Sequence, residues 1–208
     1  MYTPPYFAET DRTALHDLIE RHSFGVLVSL VDGVPFATHL PFLLDRDAGT
    51  HGTLVGHMAR ANPHWRELVA QPVLAVFSGP HAYISPTWYE STHVVPTWNY
   101  VAVHVTGRAT LVEERDALLD IVRRTVTYYE SALPNPWVMD ESGTFVDRLL
   151  LQIVGFRIEI TKIEGKQKLN QNHPTERREK VIRALQSQDD ENATDIAALM
   201  RATLEAGG

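Results

Sequence analysis

The 208-residue sequence has no cysteine, only four lysines, and no apolar run approaching the ~18 to 20 residues that a membrane helix needs. Without cysteine there can be no disulfide scaffold, no Cys-ligated zinc, no iron–sulfur cluster and no thiol nucleophile. The N-terminal stretch MYTPPYFAETDR lacks the basic-then-apolar pattern of a secretory leader, so a cytoplasmic chain with no membrane partner is expected. Three phosphate or nucleophile signatures are also missing. There is no Walker loop, no Gly-x-Gly-x-x-Gly turn and no Gly-x-Ser-x-Gly elbow, which leaves P-loop, Rossmann and α/β-hydrolase chemistry unsupported.

What is present is a globular composition, 44% hydrophobic and 22% charged, with a net charge of −7. The charge is uneven: residues 157–183 carry eight basic and four acidic side chains, and all four lysines (Lys162, Lys166, Lys168 and Lys180) fall there. An acidic chain with one basic segment points to a local anionic ligand rather than to a broad nucleic-acid face.

Hydrophobic periodicity outlines the elements. Thr10 or Asp11 can cap a first helix carrying Leu15, Leu18, Ile19 and His22. The run 24–31, the pair Asp32-Gly33 and the run 34–44 read as a hairpin whose second limb, with Pro35 and Pro41, suits an edge. Short strands follow at 54–58 and 72–77, separated by a short helix opened by Asn62-Pro63. Residues 79–97 read as a long functional loop, 98–112 as a strand bent at Gly107, and 113–132 as a helix. A helix at 144–153, a strand at 156–163 and a polar connector at 166–173 lead to two closing helices, 175–186 and 192–205. About six early strands without βαβ alternation predict a mainly β fold, an antiparallel barrel with peripheral helices. The expected division is a barrel domain, 1–172, and a helical extension, 173–208, packed on the barrel or on a dimer partner.

Ten histidines invite a metal, but His39, His57, His81, His93 and His104 sit singly, without the short pairings of a zinc site, and none is expected. A phosphorylated planar cofactor suits the inventory better. Arg60 and Asn62, at a helix start, offer a guanidinium and backbone donors for phosphate. Ser85, Tyr89, Thr97, Trp98 and Asn99 offer edge donors and aromatic walls. Taken alone, Trp65 and Trp98 are better explained by core packing.

Four segments, GHMARANPHW, GPHAYISPTWY, VPTWNYVAVHV and IVGFRIEITKIEGKQKLNQN, resemble the PaiB-like proteins, FMN-binding negative transcriptional regulators with a flavin-reductase-like split β-barrel. The likeness runs from the N-terminus to about Leu185. It implies a homodimer with FMN near the subunit interface. By motif it assigns Thr38, His39, His57, Met58, Ala59, Arg60 and Asn62 to the cofactor, with Arg60 on the phosphate. Ser85, Tyr89, Thr97, Trp98 and Asn99 would flank the ring, and Lys166, Lys168 and Gln171 would complete the pocket, a lysine stabilising negative charge on the reduced ring. The resemblance favours a regulatory or binding flavoprotein over an enzyme. An FMN-dependent oxidoreductase using NAD(P)H is the enzyme alternative, and haem, pyridoxal phosphate or another flat anion is a third, with His57 a candidate axial ligand. The closing helices could pass for a helix-turn-helix. Their acidic linker SQDDEN, and a second helix with one arginine, argue against direct DNA reading.

Overall fold

The computed structural model describes residues 1–90, 92–141 and 144–205; Ser91 of the expected loop, and 206–208 of the expected extension, lie outside that set. A two-residue strand, β1 (Ala8–Glu9), precedes α1 (Arg12–Arg21), whose start is capped by Asp11 Oδ1 accepting from Ala14 N at 2.8 Å. The hairpin β2 (Phe24–Val31) and β3 (Val34–Pro41) forms as expected. Asp32 and Gly33 both adopt positive φ, 52° and 77°, the geometry of a tight hairpin turn that matches strand twist. Then come β4 (Leu43–Asp45), β5 (Thr53–Ala59), a 3₁₀ turn (Pro63–Glu67), β6 (Pro72–Ile84), a second 3₁₀ turn (Pro86–Tyr89) and β7 (Thr97–Val112). The chain ends through α2 (Arg115–Glu130), α3 (Thr144–Leu150), β8 (Ile153–Lys168), α4 (Thr175–Gln186) and α5 (Glu191–Glu205).

The eight strands follow the order β3-β2-β6-β7-β8-β5-β4, with β1 also paired to β8. The path begins at β3 and ends at β4 without closing, the split-barrel class of antiparallel sheet with flanking helices. The proline-bearing limb β3 lies at an edge, where a residue without an N–H breaks no ladder.

Two expectations are corrected. Residues 79–84 are strand rather than loop: β6 continues through Gly79-Pro80 with His81 and Tyr83 exposed and Ala82 and Ile84 buried, a period-2 alternation. β2 pairs with β6 over Leu74–Val76, so Pro80 lies beyond that ladder. The lysine segment is also strand as far as Lys168, not connector. It pairs non-locally with β1, Ala8 opposite Lys166 and Glu9 opposite Gly165.

Contacts divide the chain into two compact units, and β6, β7 and β8 contribute residues to both. The first (1–18, 78–103 and 164–208) has a core of Ile84, Tyr89, Leu169, Val181, Ile182 and Leu185, with Ile196, Ala197 and Met200 of α5. Burying one face of each helix in an α4–α5 hairpin is what stabilises two helices that would be marginal alone. The second (19–77 and 104–163) centres on Phe42, whose ring meets Phe77 at 5.4 Å and Phe156 at 6.0 Å, edge to face. At Gly107 in this unit an added Cβ would lie 2.5 Å from the Glu159 carbonyl oxygen. The glycine is there to let β7 and β8 approach. Among the described residues no helix is long and apolar enough to cross a membrane.

Candidate functional site

The residues singled out by sequence fall into two groups, one in each unit. In the unit of 19–77 and 104–163, β5 ends in the Asn62-Pro63 turn that the sequence suggested. Asn62 Oδ1 caps it by accepting from His64 N at 3.0 Å, and Asn62 Nδ2 donates to Thr38 Oγ1 at 3.1 Å. Thr38 Oγ1 lies 2.8 Å from His64 Nδ1, and His64 Nε2 lies 2.8 Å from Ser29 Oγ. The result is a side-chain chain, Ser29–His64–Thr38–Asn62, holding β2, β3 and the turn together. His64 is wholly buried, and burial pushes its imidazole below the ordinary value. Sequence reading passed over His64. The signal was its place two residues after an N-cap asparagine.

Alternation on β3 turns Thr38 inward and His39 outward, where the His39 ring stacks on Phe24 at 6.4 Å. On β5, Met58 is buried and Ala59 exposed. Arg60 has a specific set of partners. Its Nε donates to the Leu151 carbonyl at 3.1 Å, Nη2 to the Ile153 carbonyl at 3.1 Å, and Nη1 to Glu113 Oε1 at 3.0 Å. The Trp65 indole N–H donates back to the Arg60 carbonyl at 3.0 Å. All three guanidinium nitrogens are thus engaged, two of them clamping the chain just after β5 to residues 151 and 153 and the third on Glu113. His57 points elsewhere, into the wall of an apolar cavity of about 480 Å³ formed with Val122, Trp137, Met139, Phe145 and Leu149. Burial lowers its pKa, so its ring is a neutral nitrogen donor at neutral pH.

In the other unit, Trp98 of β7 is 54% exposed. It meets Tyr83 edge-on at 5.8 Å and His81 at 6.1 Å, both from the extended end of β6. Beside it, Lys168 Nζ donates to the hydroxyl of Thr97 and, at 2.9 Å, to the Trp98 carbonyl. Burial and the charge of Lys166 lower the Lys168 pKa. Lys166 is itself buried, donates to the Tyr2 carbonyl at 3.1 Å and lies over the rings of Tyr100 (5.1 Å) and Tyr2 (5.6 Å). Gln171 is used locally, accepting from Leu169 N and donating to the Gln167 carbonyl. Ser85 Oγ caps the Pro86–Tyr89 turn. Asn99 is fully buried: its Nδ2 donates to Met200 Sδ at 3.4 Å, and its Oδ1 has no partner among the described residues.

Tyr89 is buried, accepts from Asn170 Nδ2 at 3.2 Å and stacks on His173 at 5.4 Å. Burial pushes its phenol up, opposed by the Asn170 bond and by Arg177. Tyr89, Thr97 and Lys168 share a polar cavity of about 350 Å³ with His173 and Arg177. The structure thus brings Tyr89, Thr97, Trp98 and Lys168 into one neighbourhood and Thr38 and Asn62 into another. Among the described residues no cluster of three or more His, Asp or Glu is arranged to hold a metal.

Comparison with known proteins gives the following. Residues 1–162 match a family described as "Putative FMN-binding domain". The chain is 39% identical over 207 residues, 99% of both proteins, to the protease synthase and sporulation protein PAI 2 of Bacillus subtilis. It is 30% identical to an uncharacterized protein of Aspergillus fumigatus, covering 97% of each. Among solved structures it is similar to the flavocytochrome Anf3 of Azotobacter vinelandii (TM-score 0.62, 17% identity, 80% of this chain and 72% of that one). It is also similar to an FAD- and haem-binding protein of Mycobacterium smegmatis (TM-score 0.60, 16% identity, 77% and 73%). At these identities the structural likenesses concern the fold.

Proposed function

Starting from a chain that belongs to the PaiB-like family with its FMN-binding domain, we propose that it binds flavin mononucleotide and works as a flavin-holding regulatory protein rather than as a turnover enzyme. The observation that carries this reading is the pairing of an exposed indole, Trp98, with the ammonium of Lys168, which is bonded to the Trp98 carbonyl. A flat, anionic heterocycle needs an aromatic face and a cation beside it, and this donor set fits. When bound, flavin supplies one- and two-electron redox chemistry. The chain's own residues would bind and orient it: Trp98, with Tyr83 and His81 fixing its ring, offers the face, and Thr97 and Lys168 offer polar contacts. The family resemblance adds Thr38, His39, His57, Ala59 and Asn62. Met58 and Asn99, whose side chains are interior, would support neighbouring residues rather than touch the ligand. Arg60, clamped by two carbonyls and Glu113, serves the fold.

Incubation with FMN followed by desalting tests the reading: retained absorbance near about 450 nm is expected. Trp98→Ala should weaken binding by about tenfold, the loss of one stacking face. Protein that stays colourless would refute flavin binding. Anaerobic mixing with NADH or NADPH separates sensor from enzyme, since sustained turnover would favour an oxidoreductase.

Haem is a second reading, favoured by one observation: a neutral His57 nitrogen on the wall of an apolar cavity. Two of the structural neighbours are a flavocytochrome and an FAD- and haem-binding protein. A haemin titration with His57→Ala as control tests it. A homodimer is also part of the proposal, supported by exposed apolar residues at 137–151. Direct DNA binding is not, because α5 spends its apolar face on α4 and its first turn is acidic.

A further inference from the structure

The polar cavity of about 350 Å³ in the unit of 1–18, 78–103 and 164–208 has a one-signed lining. Lys168 comes from the end of β8, His173 from the turn after it, Arg177 from α4 and His93 from the segment after the Pro86–Tyr89 turn. Among the described residues no carboxylate lines it. Two carboxylates of the same unit, Glu90 and Glu176, are both held by Lys180 Nζ, at 2.8 and 3.3 Å.

The cations are built in rather than loose. Arg177 lies over the Tyr89 ring at 5.4 Å and meets His173 Nδ1 at 3.0 Å, while the His173 ring stacks on that same buried tyrosine. Tyr89 is in turn fixed by Asn170, which is 2% exposed. Lys168 spends two of its three N–H donors on Thr97 and Trp98. Burial first, and then the charges of Arg177 and Lys168, lower the His173 pKa. A fork-shaped donor, a point charge, a neutral amide (Asn172) and a hydroxyl (Thr97) around one concave site are the requirements of a phosphate group. Tyr6 and Val95 add apolar surface for what the phosphate is attached to.

We infer that this cavity is a phosphate-monoester site, held by Arg177 and Lys168 with His173 beside them. The inference rests on the flavin reading only as to source: the monoester is either the phosphate of FMN or that of a separate phosphorylated metabolite. In the first case Lys168 serves the phosphate rather than the ring edge, and the anchor expected at Arg60 moves to Arg177.

The full-length protein is titrated separately with inorganic phosphate, FMN and riboflavin, with the His173 ring resonance followed by NMR and flavin fluorescence followed in parallel. Inorganic phosphate should shift the His173 resonance. If the source is FMN, FMN should shift it and riboflavin should not. Arg177→Gln should then cut the preference for FMN over riboflavin by about tenfold, leaving riboflavin affinity unchanged. Lys168→Gln, should Arg177→Gln fail to fold, must reduce the same preference. A shift with phosphate but no flavin binding would overturn the flavin reading and leave the phosphate site standing, with the separate metabolite as its source. Flavin binding with His173 unmoved by inorganic phosphate and by FMN would overturn this inference and leave the flavin reading intact.

Discussion

The imidazole of His64 is held from two sides by hydroxyls, Ser29 on β2 and Thr38 on β3, in a wholly buried position. An apolar replacement strands the buried Ser29 hydroxyl, while Thr38 keeps its bond from Asn62, and a stranded buried polar group costs about 1–3 kcal/mol. His64→Leu should therefore lower unfolding free energy by about 2 kcal/mol in urea titration. The same residue sets a pH dependence. Burial depresses the folded pKa of His64, and likewise that of His57 and His173. A depressed imidazole binds protons more readily when unfolded, so its contribution is full above about pH 6.5, the unfolded value, and declines as pH falls toward the folded pKa. Wild type should lose stability between pH 7 and pH 5.5, and His64→Leu should lose less across that interval. Equal losses would show that His64 is not a source of the dependence. Arg60 makes a contrasting case: removing its three bonded donors in Arg60→Ala should cost about 1–2 kcal/mol of stability, read by the same titration, with FMN affinity altered less than threefold, about 0.6 kcal/mol. Spacing identified Arg60 as a cation near a helix start, but its partners at 151–153 and Glu113 lie some 50 to 90 positions away, beyond any local pattern.

Among the elements, those specified by local chemistry were legible. The hairpin with Asp32-Gly33, the Asn62-Pro63 cap and α4 follow from turn residues, capping and period, which act within a few positions. What could not be read was strand structure supported from afar. Lys166 looks like a solvated charge until its ammonium is seen against the Tyr2 carbonyl and two tyrosine rings, contacts that make a lysine tolerable in β8. Gly107 shows the intermediate case: the sequence marks a bend, and the structure supplies the cause, a backbone approach to β8 too close for any side chain. Gly107→Ala should destabilise by about 1–3 kcal/mol through forced separation of β7 and β8, seen as a lower denaturation midpoint. In the helical hairpin, Arg178 of α4 donates to the Thr203 hydroxyl and lies 3.4 Å from the Met200 carbonyl of α5, with its Nε unpartnered among the described residues. It ties the last helix down by backbone and hydroxyl rather than by an ion pair.

At the scale of the molecule, an acidic chain with a basic segment resolves into short-range pairings. Of the eight basic residues in 157–183, three are spent on partners within the chain: Arg157 meets Asp45, Lys180 meets Glu90 and Glu176, and Lys166 is buried against tyrosines. The fold class was legible because counts of strands and turns carry it; assembly was not, because apolar side chains in a polar-looking stretch declare themselves only by exposure. Trp137 (58%), Val138 (82%), Phe145 (63%), Leu149 (51%) and Leu151 (69%) are such residues, all within one unit and close in sequence. Exposed aromatic and aliphatic side chains clustered like this are costly in water and are the kind of surface that a stable homodimer buries. Light scattering should therefore give twice the 23.4 kDa chain mass for wild type, and Phe145→Glu with Leu149→Glu should shift it to the single-chain value while leaving the far-UV dichroism unchanged. A charge placed in a buried interface lacks water and partner alike, so a dimer that closes over these residues cannot tolerate two. If the double variant keeps the doubled mass, the subunits meet through another face, and the apolar residues at 137–151 serve the His57 cavity alone.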